Sequence, residues 1–265
     1  MTNNKSENRA TVFPMFLMGG LFVIIHLLSM LITRPFEEAN MEVFSDPNDW
    51  GNLYILLSFV FTELLTILLS FVIAAILVLA LIKHPEWYVL DLCGIIVGVG
   101  SIGLFGISLS VFLVIILLIG LAVYDAISVY KTKHMIDLAD AVMDLKLPVL
   151  LVVPKTKDYS ILEETKGLKE KLESKEEREA FFLGLGDIVM PGILVAASFH
   201  SIPDNGLLIA LSVMLGTLIG FAALMLVVIK GKPQAGLPFL CSGAILGYLV
   251  SSFLLTGGLG IVLPF

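Results

Sequence analysis

Long uninterrupted apolar runs constrain this chain more than any other feature. They occupy about 13–33, 53–82, 88–107, 109–130, 180–200, 206–229 and 238–262. A bilayer core takes about 20 apolar residues as helix. Each run is therefore read as one membrane span, seven in all, with the 30-residue second run tilted or extending beyond the lipid. The composition agrees: 58% of residues are hydrophobic and 15% charged, against about a quarter charged in an ordinary soluble domain. The expected fold class is an all-α polytopic membrane protein. The first ten residues, MTNNKSENRA, are polar and no small-residue cleavage site follows the first run, so that run is read as a retained helix rather than a signal peptide. Cys93 and Cys241 lie in apolar context and suggest packing, not a disulfide framework.

Basic residues orient the spans. With the N-terminus inside, Lys5, Arg9, Lys83, Lys230, Lys232 and the ten basic residues between 131 and 178 all fall on the cytoplasmic side, 15 of the 16. Only Arg34 falls outside, beside a loop that carries Glu37, Glu38, Glu42, Asp46 and Asp49. This is the bias that membrane insertion imposes. Splitting 53–82 into two helices would invert everything after it. The chain then divides into an N-terminal bundle (1–130), a cytosolic loop (131–179) and a C-terminal bundle (180–265). The second half of the loop is highly charged and reads as solvated. In its first half the fourth span continues as helix toward Pro148, and LPVLLVVP reads as a short strand at the membrane surface.

Four carboxylates fall inside the runs: Glu63, Asp91, Asp125 and Asp187. Each costs at least about 2.5–3.5 kcal/mol at a helix centre. Asp91 stands near the start of its span, where it reaches the interface or caps a neighbour. Glu63 is deeper, without a second motif around it, and is read as structural. His26 is read as a hydrogen-bonded packing histidine. Asp125 and Asp187 are different. By the run boundaries they lie about six residues before the end of the fourth span and about seven after the start of the fifth. At about 1.5 Å per residue both are expected some 9–10 Å in from the inner boundary. Two carboxyls at one level on neighbouring helices can share a proton. One then acts as general base on water, and the other polarises a scissile carbonyl. Gly184 and Gly186 precede Asp187 and are expected to let another backbone, the Asp125 helix or a substrate strand, approach. Tyr124 offers a hydroxyl beside Asp125.

The motifs YD at 124–125 and GLGD at 184–187, with QAGLPF at 234–239, resemble those of the presenilin and signal peptide peptidase family of GxGD intramembrane aspartyl proteases. Leu237 and Pro238 match that family's Pro-Ala-Leu-Pro motif, while Ala235 and Gly236 stand in place of its first Pro and Ala. Stretches such as AVYDAISVYKTKHM and DLKLPVLLVVP look most like the archaeal presenilin homologues. The resemblance implies a presenilin-like helix bundle and Asp125 and Asp187 as the catalytic pair. It implies a 235–238 segment that shapes the substrate site, and hydrolysis of peptide bonds within the transmembrane helices of substrate proteins. It implies no cofactor or metal. The family has nine spans against the seven counted, the shortfall lying before residue 84. Presenilins keep the loop between the catalytic spans in the cytosol, as the charge bias does here. A prokaryotic plasma membrane is the expected location. Nothing points to a nucleic-acid partner, and the apolar flanks of the last spans can face lipid or further copies of the chain.

The competing class is a proton- or ion-coupled transporter, in which paired membrane carboxylates relay protons. Transporters usually carry inverted repeats, and no internal repeat is found. A non-catalytic scaffold leaves the ordered motifs without a purpose. There is no H-E-x-x-H and the four histidines do not cluster, which speaks against zinc. Ser198, His200 and Ser201 lie two apart or adjacent on one helix, where side chains do not face each other.

Overall fold

In lipid every backbone polar group needs a partner within the protein, so apolar runs fold as helices. A computed structural model describes residues 3–38, 68, 70–84, 86–132, 150–154, 180–202, 205–228 and 234–258. Its helices are α1 (Asn3–Glu38), α2 (Ser70–Lys83), α3 (Trp87–Ser108), α4 (Val111–Ile127), α5 (Leu185–Ser201), α6 (Gly206–Val228) and α7 (Leu237–Thr256). A π-helical turn, Ser128–Thr132, continues α4. Five of these elements are long and apolar enough to span a membrane, while α2 and α5 are shorter. The seven runs thus correspond to seven helices among the described residues. Glu63 and the first part of the second run lie outside those residues, as do 133–149, where a continuation of the fourth span was expected.

α5 is the central helix. It packs against α1, α3, α4, α6 and α7, and every residue from Pro191 to Ser198 is buried. A helix buried all round can be apolar on every face, and α5 need not match the bilayer thickness alone. α1 presents it with a stripe of Met18, Phe22, Ile25, His26 and Ser29, all buried, at helical spacing. Phe22 also meets Phe221 of α6 at 5.0 Å between ring centroids.

α6 and α7 meet backbone to backbone. A methyl group on Gly216 would land on the Gly243 carbonyl, and one on Gly243 on the Gly216 carbonyl. Gly220 and Gly247, four residues on, face the opposite helix's backbone at Phe239 and Ser212. Each helix carries the G-x-x-x-G spacing, which brings membrane helices into close van der Waals contact. Hydroxyls in the spans bond one turn back: Thr217 to the Val213 carbonyl (2.9 Å) and Ser198 to that of Leu194 (2.6 Å). Ser198 is fully buried in this way.

The fifth run corrects one expectation. Helix was expected from 180, but Ala180–Gly184 is a strand, β2, paired antiparallel with β1, Leu150–Pro154. The expected strand over LPVLLVVP is therefore present, together with its unforeseen partner. An isolated two-stranded hairpin is marginal, and this one is anchored from both faces. Leu151, Val153 and Leu183 enter the main core, while Val152 and Ala180 pack with Trp87 and Phe182. The Val152 N–H donates to Asp91 Oδ1 at 2.8 Å. Asp91 thus caps a neighbour, one of the two roles expected of it.

Two consequences follow. Gly216→Val or Gly243→Val should force α6 and α7 apart, an overpacking cost of about 1–3 kcal/mol, seen as a lower thermal midpoint in detergent. Asp91→Leu leaves the Val152 N–H buried and unpaired, at about 1–3 kcal/mol. Hydrogen exchange should then quicken in β1 and β2 before it does elsewhere.

Candidate active site

The hairpin decides where Asp187 stands. β2 runs without a break into α5 with Gly184 as N-cap, so Asp187 is in the first turn of that helix. It is not seven residues deep, as the run boundary at 180 implied. Asp125 lies near the end of α4, two residues before its last residue. The span boundary for Asp187 thus differs from the one expected at 180, yet the fold brings both carboxylates to one place.

That place is the approach to α7. Asp125 Oδ2 accepts the Leu237 N–H at 3.1 Å, and the Gly236 amide faces the same carboxylate. Asp187 approaches from the other helix. Its Oδ2 lies 2.9 Å, and its Oδ1 3.4 Å, from the position a Cβ would take on Gly236. The Gly236–Leu237 turn thus bonds Asp125 and has Asp187 in the space a side chain at 236 would take, and each carboxylate lies within electrostatic reach of the other. Both aspartates are half-buried.

The first turn of α7 shows why this segment has its sequence. The opening N–H groups of a helix have no partner within it. Here the Leu237 N–H goes to Asp125, and those of Phe239 and Leu240 reach the Gly236 carbonyl at 3.2 Å. Pro238, between them, has no N–H to satisfy. Asp125 thus supplies the one acceptor that the turn needs from another helix. The interaction also runs the other way. A helix N-terminus favours a nearby negative charge by about 0.3–1 kcal/mol. Asp125 stands at the N-terminus of α7 and Asp187 in the first turn of α5, which offsets part of the cost of a carboxylate in the membrane.

Ala235 is fully buried behind this turn. Ahead of it, the Tyr130 hydroxyl donates to Gln234 Oε1 at 2.7 Å, tying the π-helical turn beyond Asp125 to the α7 approach. Such π turns often mark functional sites. Sequence reasoning missed this bond, which joins residues 104 positions apart. Tyr124, expected to offer its hydroxyl here, is 70% exposed. Of the glycines, Gly184 lies against Asp187, 3.5 Å from Oδ2 to its would-be Cβ. A Cβ on Gly186 would meet nothing within 4 Å among the described residues. No helix backbone among them therefore packs against Gly186, and the approach of a substrate strand there stays open. Among the described residues, no group of three or more His, Cys, Asp or Glu side chains is placed to hold a metal.

Comparison with known proteins gives this arrangement a class. Residues 53–257 match the family model described as signal-peptide peptidase, presenilin aspartyl protease. Two solved structures of presenilin family intramembrane aspartate proteases, in C222 and P2 space groups, are similar throughout. The first is 28% identical with a TM-score of 0.56, covering 91% of this chain and 99% of that one. The second is 30% identical with a TM-score of 0.52, covering 89% and 96%. No curated protein sequence matched. The chain belongs to the signal-peptide peptidase and presenilin family of aspartyl proteases. It is a multi-pass membrane peptide hydrolase whose substrates are membrane proteins.

The contact between Gly236 and Asp187 makes a specific prediction. A branched side chain at 236 cannot share that volume with the carboxylate. Gly236→Val should abolish proteolysis while the thermal midpoint and helical circular dichroism stay close to wild type.

Proposed function

We propose that Asp125 and Asp187 are the catalytic pair and that they cut peptide bonds inside substrate transmembrane helices. The observation that carries this reading is the single turn, Gly236–Leu237, which bonds Asp125 and has Asp187 in the space beside Gly236. Two carboxyls held that close cannot both ionise cheaply and share one proton. The ionised member takes a proton from water as its oxygen bonds to the scissile carbonyl carbon. The protonated member hydrogen-bonds the carbonyl oxygen as charge develops on it. When the tetrahedral intermediate collapses, the C–N bond breaks and the departing nitrogen receives a proton from the pair. The two carboxyls titrate as a unit. The space beside Gly186, unfilled by any described residue, offers room for substrate next to Asp187, and the 235–238 turn helps shape the site. A helical substrate must unwind locally first, because its amides are already bonded within the helix.

The basic residues of 131–178 support a cytosolic loop between the two catalytic helices, with the N-terminus on the same side. The chain then sits in a prokaryotic plasma membrane and takes substrates with their N-terminus outside, acting as one uncut chain or as several copies together.

A tagged single-span substrate in liposomes tests the assignment. Intact protein should release two fragments, and Asp125→Asn and Asp187→Asn should each reduce cleavage to background with folding retained. Cleavage surviving either change removes that residue from the mechanism. A protease-protection assay that finds 131–178 outside would overturn the orientation.

A further inference from the structure

α1 precedes the residues matched by the family model, 53–257, yet it reaches the start of the α5 helix. His26 of α1 is wholly buried. Its Nε2 lies 3.1 Å from the carbonyl oxygen of Ile188, the residue after Asp187. A carbonyl only accepts, so Nε2 carries the hydrogen and Nδ1 the lone pair. Nδ1 is buried and has no partner among the described residues.

The bond falls on an intrinsically weak stretch of α5. Pro191 lies four residues after Asp187. It supplies no N–H to the Asp187 carbonyl, and its ring crowds that carbonyl. Gly192 then provides the notch in which the imidazole sits. A Cβ there would stand 2.9 Å from His26 Nε2, 3.0 Å from its Cδ2 and 2.6 Å from Ile102 Cδ1. Phe22 holds the ring from the side in a T-shaped contact, 6.1 Å between centroids. A proline break, a glycine notch and a donor from a distant helix thus converge on the turn that carries Asp187. An imidazole with one nitrogen unpaired is a costly way to fill apolar space. What it adds over leucine is a directional hydrogen bond.

We propose that His26 is a positioning residue. From α1 it holds the Ile188 carbonyl and so fixes the first turns of α5, and with them Asp187, against the Gly236–Leu237 backbone. It acts through Asp187 and touches no substrate. The inference rests on Asp187 being catalytic, so its test carries a readout independent of cleavage.

Wild type, His26→Leu, His26→Gln and Asp187→Asn would be compared in liposomes. The readouts are kcat and KM on a single-span substrate, thermal midpoint, and hydrogen exchange of the segment 187–192. In His26→Leu, kcat should fall by about 10- to 100-fold, the scale of a misplaced catalytic group. KM and midpoint should stay near wild type while exchange in 187–192 quickens. His26→Gln, whose side-chain N–H reaches toward the same carbonyl, should recover most of the loss. Wild-type kcat and exchange in His26→Leu would overturn the proposal, and so would equal losses in the Leu and Gln variants. If wild type cleaves nothing, or Asp187→Asn cleaves normally, the catalytic reading fails. The exchange result then still decides whether His26 holds the turn.

Discussion

The structure turns on one hydrogen bond, from the Leu237 N–H to Asp125. In the membrane interior an unpaired N–H and an unpaired carboxylate are both expensive, and here each satisfies the other. Pro238 removes the next orphan donor, and Phe239 and Leu240 close back on Gly236. Gly236, having no side chain, leaves room for Asp187 at the same turn. The Leu-Pro motif is therefore a helix start that needs an acidic cap from elsewhere, and Asp125 is that cap. The link couples the packing of α7 to the placement of the two carboxylates.

The rest of the fold serves to present Asp187 to that turn. The β1–β2 hairpin, seated on α3 through Asp91 and Trp87, fixes where α5 begins. α5 is enclosed on all sides, and the glycine seam between α6 and α7 keeps the last two spans in register. Tyr130 and Gln234 join the end of α4 to the start of α7. Segments far apart in sequence are thus joined around the same turn.

Much of this was legible in the sequence, for physical reasons. Apolar runs announce spans because lipid admits little else. Asp125 and Asp187 stand out because carboxylates there are costly, and LPVLLVVP reads as a strand from its β-branched residues and flanking prolines. The partner strand, AFFLG, did not show itself: a short apolar run leading into a helix has the same hydropathy as the helix. That misplaced the start of α5 and the expected depth of Asp187. The G-x-x-x-G spacings at 216–220 and 243–247 are visible in the chain, but spacing alone does not say that they face each other. The bonds from His26 to Ile188 and from Tyr130 to Gln234 span 162 and 104 positions, and no local pattern encodes them. The glycines before Asp187 did not say which backbone they admit: among the described residues a Cβ on Gly186 would meet nothing within 4 Å.

The central claim is that two carboxylates on different helices act as one site around the Gly236–Leu237 turn. The most direct measurement is the binding of a substrate peptide whose scissile amide is replaced by a secondary alcohol, which mimics the tetrahedral intermediate. The account predicts saturable binding of one molecule per chain, lost on replacing either Asp125 or Asp187 with alanine while the helices stay folded. Undiminished binding after either substitution would contradict it.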